Sequence, residues 1–277
     1  MTMKHYNNII KPNKLNNTNI MLRAERQAKI LEVIRERGFI QNDELINRFK
    51  VSHVTIRRDL ITLANQNLIH LEHGGATSID FLEGHSEPVY DMKLYVNSDA
   101  KIAMANTAIN FIHDGDILIL DSGTTNFRLA QKIKTVNFKE LTVITTDLMV
   151  AKELSPHPNI SINVLGGILR SSYFNVYGPF TELILSKLKA DKLFLGFDGC
   201  SMTRGLSLNV LGEVPAKQKM IEICDEVIAF GDSSKFGVNA PYLICEWDDI
   251  HRVIVDDGIK EEHVKFFKNN HIECNVS

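Results

Sequence analysis

The sequence has no excess of positive charge: 31 Lys and Arg stand against 34 Asp and Glu, a net charge of -3. Affinity for a polyanion such as nucleic acid therefore cannot come from bulk charge. It needs a local cationic face, as on a small reader domain carried by a larger acidic body. Clustered cysteine is also missing. Cys200, Cys224, Cys245 and Cys274 stand far apart, match no metal-ligand spacing, and read as buried reduced thiols of a cytosolic protein. No run approaches the roughly 18 apolar residues of a membrane span, and the N-terminus has no signal-peptide core. What remains is a cytoplasmic chain whose 277 residues leave room for two domains. Its 44 % hydrophobic content suffices for a buried core.

The chain is organised around residues 51–60, V-S-H-V-T-I-R-R-D-L. Ser52 is placed to cap a helix. Val54, Ile56, Leu60, Ile61 and Leu63 recur at helical spacing as an apolar face, with Thr55, Arg57, Arg58 and Asp59 on the other sides. Residues 43–49 form a short amphipathic segment just upstream, and 23–37 a longer one. Two short helices joined by a tight turn make a helix-turn-helix, whose second helix suits a DNA major groove. Residues 68–76, L-I-H-L-E-H-G-G-A, alternate and then turn on two glycines, as the strand and tip of a wing do. Taken alone, an Arg-Arg pair is more often a solvated helix face; the neighbouring elements favour a DNA reader. The candidate DNA-binding residues are Ser52, His53, Thr55, Arg57 and Arg58 on the helix, with His70, His73 and Gly74 in the wing. His53 and Thr55 suit base edges, and the two arginines suit phosphates or guanine edges.

Residues 23–76 resemble the N-terminal module of the DeoR family of bacterial transcriptional regulators. T-I-R-R-D-L stands at 55–60 and H-G-G-A at 73–76, at the family's spacing. The family usually places Arg just before H-G-G, whereas His70, Leu71 and Glu72 occupy that stretch here. The expected organisation is a disordered basic tail over 1–20, a winged helix-turn-helix over 21–76, a loop-rich linker over 77–97, and a sensor domain over 98–277. The tail is rich in Asn and Lys without an acidic residue.

From about residue 98 the pattern alternates between strand and helix. Apolar runs at 117–120, 141–145, 160–165, 192–197, 227–230 and 252–255 read as buried strands. Helices fall between them at 100–111, 125–134, 148–154, 180–188 and 213–224. This predicts an α/β domain with a mostly parallel sheet covered on both faces, and ligands bind beyond the carboxyl ends of such strands. There the sequence places Asp121-Ser122-Gly123-Thr124-Thr125, whose glycine, hydroxyls and helix N-terminus suit a phosphate; a ligand-free capping turn is the alternative. Asp121 could also accept from sugar hydroxyls. Other strand ends carry Thr145-Thr146-Asp147, Gly166-Gly167 with Arg170, Asp198-Gly199, and Asp232-Ser233-Ser234-Lys235. Arg170, Arg204, Lys217 and Lys235 are the candidate cations. Singly, each of these turns is more often a cap than a site.

D-S-G-T-T, G-G-x-x-R at 166–170 and D-S-S-K-F-G at 232–237 look like the sensor domain of the same regulators. The resemblance implies a fold shared with ribose-5-phosphate isomerase and the CoA transferases, and a phosphorylated sugar as effector. It implies Ser122, Gly123, Thr124 and Thr125 around the phosphate, with Lys217 and Lys235 on the sugar side. Thr146 stands where many members have Asn, and Lys93 where the linker usually has Arg. The expectation is a non-enzymatic regulator, a repressor of a carbohydrate-utilisation operon with no cofactor. Its partners would be double-stranded operator DNA, the effector and further copies of itself, as a homo-oligomer (dimer or tetramer). A sugar-phosphate isomerase with an accessory DNA-binding domain is the competing reading; Asp121, Asp198, Glu213 and Lys235 could supply its acid and base. A nucleoid-type binder without effector would leave the polar strand ends unexplained.

Overall fold

The computed structural model describes residues 21–79 and 88–277. The tail expected over 1–20 lies outside the described residues, as does Gly84 of the expected linker. The N-terminal unit runs α1 (Arg23–Arg37), β1 (Phe39–Gln41), α2 (Asn42–Phe49), α3 (His53–Asn65), β2 (Ile69–Glu72) and β3 (Gly75–Ser78). Its three strands pair antiparallel in the order β1-β3-β2. Lys50, left-handed at φ 51°, turns the chain between α2 and α3. The Thr55 N–H then donates to the Ser52 hydroxyl at 3.2 Å, a cap worth about 1 kcal/mol. A Cβ at Gly75 would sit 2.4 Å from the Ile40 carbonyl oxygen, so the second wing glycine is what allows β3 to lie against β1. That first strand is too short for its alternation to show in the sequence.

Ile30, Leu31, Ile34, Leu45, Ile56, Leu60 and Leu63 fill the core of this unit. Three α3 residues depart from the sequence reading. Val54 and Ile61 are 57 % and 39 % exposed, while Asp59 is 1 % exposed. At about 100° per residue, positions 56, 60 and 63 share the inner face with 59, and 54 and 61 fall outward with Arg57 and Arg58. Asp59 is buried because it has partners: it accepts from Arg26 Nε at 2.6 Å and Gln27 Nε2 at 2.9 Å on α1.

The second unit runs α4 (Tyr90–Lys93), α5 (Ser98–Ala108), β4 (Ile117–Leu120), α6 (Thr124–Ile133), β5 (Leu141–Thr145), α7 (Leu148–Leu154) and β6 (Ile160–Val164). It continues with β7 (Ile168–Arg170), β8 (Asn175–Tyr177), α8 (Pro179–Leu185), β9 (Ala190–Leu195), β10 (Gly199–Ser201), β11 (Gly205–Leu208) and α9 (Val214–Glu222). It ends with β12 (Cys224–Phe230), β13 (Tyr242–Cys245), β14 (Arg252–Val255), α10 (Glu261–Asn269) and β15 (Glu273–Val276). Seven parallel strands form one sheet in the order β15-β14-β12-β9-β4-β5-β6. Both faces of its middle are covered, which is why β4, β5, β14 and the later halves of β9 and β12 are apolar runs. Leu118 and Leu120 face α5, α6 and α7, and Ile119 faces α8, α9 and α10.

The chain runs outward from β4 in one direction and from β9 in the other, so the switch point lies between these two strands. The strand expected over 192–197 ends at Leu195 because the Gly196 N–H turns to Asp121 Oδ2 at 2.9 Å. Gly196 and Phe197 are thereby released from the sheet at the switch point. The 77–97 stretch, read as loop, holds α4, which joins the two units: Met92 is buried in the first core and Tyr90 in the second. No helix among the described residues is long and apolar enough to cross a membrane.

Candidate functional site

The structure gathers the sequence's candidate residues in two places. In the first, a groove of about 370 Å³ between α3 and the wing is lined by His53, Arg57, His73 and Gly74, together with Leu71 and Ile61. Arg58 and His70 are exposed beside it, and Ser52 and Thr55 sit at the start of α3 with their hydroxyls 2.9 Å apart. Arg57 and Arg58 both point away from the core. Val54 stands exposed on that same outer face. The apolar period of the sequence had absorbed it into the core.

The second place is a cavity of about 720 Å³ at the carboxyl ends of β4, β9 and β12, at the switch point. Ser122, Gly123, Thr124 and Thr125 line it at the N-terminus of α6. No side chain caps that helix, and Gly123 reaches φ 122° to bring the backbone round. The first N–H groups of a helix have no intrahelical acceptor and carry the positive end of its dipole, so they suit an anion.

Two buried carboxylates hold this loop from behind. Asp147 accepts from Gly123 N–H at 2.9 Å and caps α7 through the N–H groups of Met149 and Val150 at 2.8 and 3.1 Å. Burial pushes its carboxyl up to about 6, against the pull of those three donors. Asp121 accepts from the N–H of Ser122 at 2.7 Å and of Gly196 at 2.9 Å, and pairs with the Lys217 ammonium. Both Asp121 oxygens are thus engaged and the side chain is 1 % exposed, so it positions the loop instead of meeting a sugar hydroxyl.

The cavity is cationic, although the chain is not. Arg35, Lys93, Lys101, Arg170, Lys217 and Lys235 line it, against the carboxylates Asp198, Glu213 and Asp232. Burial lowers Lys101 to about 7 despite the nearby Asp232, and its amine donates to the carbonyls of Lys93 and Val96 at 2.7 and 2.5 Å. Burial likewise lowers Lys235, with Asp232 opposing; its ammonium donates to Phe197 O at 2.7 Å. Asp198 is held below the usual carboxylate range: burial raises it, but Lys93, the Asn209 N–H, Lys235 and Lys217 outweigh that. Arg170 pairs with Glu213 at 3.1 Å and lies 3.6 Å over the Tyr173 ring. Three deeply buried polar atoms of the lining lack a hydrogen-bond partner among the described residues: Tyr90 Oη, Asn126 Oδ1 and Asn175 Oδ1. Such atoms are costly to leave unpaired. No group of His, Cys, Asp and Glu able to hold a metal ion occurs among the described residues.

Comparison with known proteins is specific. The DeoR C terminal sensor domain matches residues 96–257 and the DeoR-like helix-turn-helix domain matches residues 26–81. The chain belongs to the DeoR family of transcriptional regulators. It is 36 % identical to an uncharacterized HTH-type transcriptional regulator of Bacillus subtilis, YulB, over 91 % of this chain and 96 % of that protein. It is 31 % identical to a putative aga operon transcriptional repressor of Escherichia coli O157:H7, over 90 % and 92 %. Ribose 5-phosphate isomerase from Plasmodium falciparum aligns with 52 % of this chain and 54 % of its own at 17 % identity, with a TM-score of 0.38. That likeness is too loose to speak to activity.

In this DeoR-family regulator the cavity takes in Ser122, Gly123, Thr124, Thr125, Arg170, Asp198, Lys217 and Lys235, and leaves five expected residues outside its lining, the loop anchor Asp121 among them. Thr146 is buried at the end of β5, its carbonyl taken by the Val176 N–H at 2.9 Å. Gly167 is a spacer under α8, where a Cβ would lie 2.4 Å from the Thr181 hydroxyl; Gly166 is exposed, has room for a Cβ, and gives its carbonyl to that hydroxyl at 2.7 Å. Arg204 is exposed in the β10–β11 turn. Conversely, Asn97, Asn126, Asn175 and Arg35 join the lining from elements whose sequence carries no positional mark. Asp147 did carry one, as the polar residue ending T-T-D after a strand.

Proposed function

We propose that this regulator is a cytoplasmic, non-enzymatic repressor of a carbohydrate-utilisation operon, whose operator binding is controlled by a phosphorylated sugar. The observation that carries the effector reading is the uncapped N-terminus of α6, opening with Ser122–Gly123–Thr124 into a cavity where cations outnumber carboxylates. A phosphate monoester satisfies both the helix dipole and the cationic excess, and the sugar hydroxyls meet Asn126, Asn175 and Tyr90. Moving a repressor from 99 % competent to 1 % takes about a 10⁴-fold preference for one state, roughly 5.5 kcal/mol. A desolvated phosphate is one of the few small groups able to supply it.

The test uses Thr124→Val, which keeps the shape of a buried side chain while deleting its hydroxyl. The variant is expected to bind operator DNA normally and to lose its response to the sugar phosphate that shifts the thermal stability of the parent chain. An unchanged response sinks the phosphate assignment. The parent is expected to leave those sugar phosphates chemically intact; turnover would favour the isomerase reading instead.

At the reading end, Arg57 and Arg58 contact phosphates or guanine edges, His53 and Thr55 read bases, and exposed Val54 suits a thymine methyl. Arg58→Ala is expected to weaken operator binding and to flatten its salt dependence by about one phosphate, a slope change of ~0.9. Equal affinity in a filter-binding titration removes Arg58 from the interface. One winged helix buries too little surface for a genome-wide search, so the chain acts as a homo-oligomer, a dimer or tetramer. The exposed apolar residues Ile168, Phe180, Leu183 and Leu211 support this, at 56 %, 71 %, 60 % and 60 % exposure. A monomer in sedimentation equilibrium at working concentration would rule it out.

A further inference from the structure

The cavity wall is not made by the sensor domain alone. Arg35 belongs to α1, the helix that carries the core of the DNA-binding unit, and it lines the same cavity as residues 122–125. An arginine in the last turn of a helix has a ready ordinary use, complementing the dipole. Arg37, in the same turn, is exposed and pairs with Glu44. Arg35 is different: it is partly buried, and burial lowers its guanidinium against the pull of Glu32. Its guanidinium stands in the wall of the cavity that the reading above gives to an anion.

The neighbouring contacts show how closely the two units meet at this wall. The Asn97 N–H donates to Glu32 Oε1 on α1 at 3.0 Å. The Asn97 amide donates to Asp232 Oδ1 at 2.9 Å and to Ser234 Oγ at 3.2 Å in the loop after β12. Asn97 does this from the left-handed region, at φ 50°, where asparagine is tolerated better than most residues. Lys101 fastens the turn from α4 to α5 beneath it by holding two carbonyls. At its other end, α1 grips the reading helix through Arg26 and Gln27 on Asp59. Nine residues of helix, about 13 Å at 1.5 Å per residue, therefore separate the cavity wall from the DNA-reading element.

We propose that the anion in the cavity is bound across the boundary between the two units, with Arg35 of the DNA-binding unit as a direct ligand alongside residues 122–125. The ligand class is a phosphate monoester, and α1 is the rigid member that carries its arrival to α3. This rests on the phosphate reading above and extends it. The effector is gripped in part by the reading head, so occupancy changes the seating of α1 without a relay through the sheet.

The test is hydrogen exchange on the full chain with inorganic phosphate, against sodium chloride at equal ionic strength. In the unaltered chain phosphate is expected to slow exchange at residues 122–126 and at residues 32–37. In Arg35→Gln the slowing at 122–126 persists, that at 32–37 vanishes, and phosphate binds about tenfold more weakly, as loss of one charge-assisted hydrogen bond implies. Arg35→Lys, which keeps charge and stem, retains slowing at both segments. Three results overturn the proposal: slowing at 32–37 that survives Arg35→Gln, slowing confined to 122–126 in the unaltered chain, or Arg35→Lys behaving as Arg35→Gln. Slowing at neither segment in the unaltered chain overturns the phosphate site itself, and this proposal with it.

Discussion

Replacing Asp59 by alanine is expected to cost the winged helix about 3–5 kcal/mol, the range for removing one partner of a buried charge pair. The side chain is 1 % exposed and works with both oxygens, holding Arg26 Nε at 2.6 Å and Gln27 Nε2 at 2.9 Å, with Arg23 Nε at 3.6 Å. Without it the Arg26 guanidinium, only 11 % exposed, and the buried Gln27 amide face each other across a cavity. A whole domain has only about 5–15 kcal/mol in hand, and a head of this size sits at the low end of that range. The expected readout is an early, separate unfolding step in urea, with loss of operator binding, while the sensor's transition stays in place. Asp59→Asn, which keeps one acceptor, is expected to lose about 1–3 kcal/mol. Exposed Asp43→Ala serves as control. Should Asp59→Ala and Asp43→Ala destabilise alike, the pairing contributes nothing and α1 is fixed to α3 by apolar contact alone.

Asp59 also marks where sequence reading stopped. In T-I-R-R-D-L the residues that touch solvent are Arg57 and Arg58, and the pattern told them correctly from Ile56 and Leu60. Aspartate looks equally polar in sequence. Only the packing of Arg26 and Gln27 from a helix more than thirty residues away makes its burial favourable. Val54 and Ile61 show the converse error, since apolar residues near a helical period are assigned inward by habit, yet a groove-facing helix keeps some outside.

The same division runs through the sensor. The strands β4, β5 and β14 were legible to the residue because a sheet covered on both faces leaves apolar runs bounded by polar turns. The strands β7, β8, β10 and β11 have three or four residues each, too few to express a period of two. At the cavity, Ser122 to Thr125, Asp198 and Lys235 sit in the stretches that follow β4, β9 and β12, while Arg170 ends β7 and Lys217 lies in α9. Arg35, Asn97, Asn126 and Asn175 arrive from a helix end, a linker, a helix interior and a short hairpin. Their roles come from which elements the topology brings to the switch point, which no local window contains. Arg204 and the two glycines at 166–167 had the right chemistry at the right chain positions. The glycines follow β6, the edge strand two places from the switch point, and Arg204 sits in the turn between β10 and β11, so none of the three reaches the lining.

Lys217→Ala is the second change with a large expected effect, and it separates holding the site from binding in it. The ammonium donates to Asp121 and, at 2.9 Å, to the Gly196 carbonyl, with side-chain exposures of 4 % and 1 % for the pair. Deleting it leaves the Asp121 carboxylate with only the N–H groups of Ser122 and Gly196, and is expected to cost about 3–5 kcal/mol. The Ser122 turn should loosen with it, since Asp121 is its anchor. Swapping both partners for uncharged residues of similar size, Asp121→Asn with Lys217→Met, removes the stranded charge along with its partner. Such replacements are often neutral or better for stability, so the double variant is expected to lose only about 1 kcal/mol, and the cycle through the single variants Asp121→Asn and Lys217→Met is expected to give a coupling energy of about 2 kcal/mol or more. Urea unfolding of the four proteins measures this directly, and strictly additive losses would show that the pair does not act as a unit. Response to the proposed sugar phosphate is a different quantity. The double variant restores the turn but not the cation, so its fold is expected to return while effector binding stays impaired. If both return together, Lys217 serves only to neutralise Asp121, and the charge the effector meets comes from Lys235, Arg170 and the helix N-terminus.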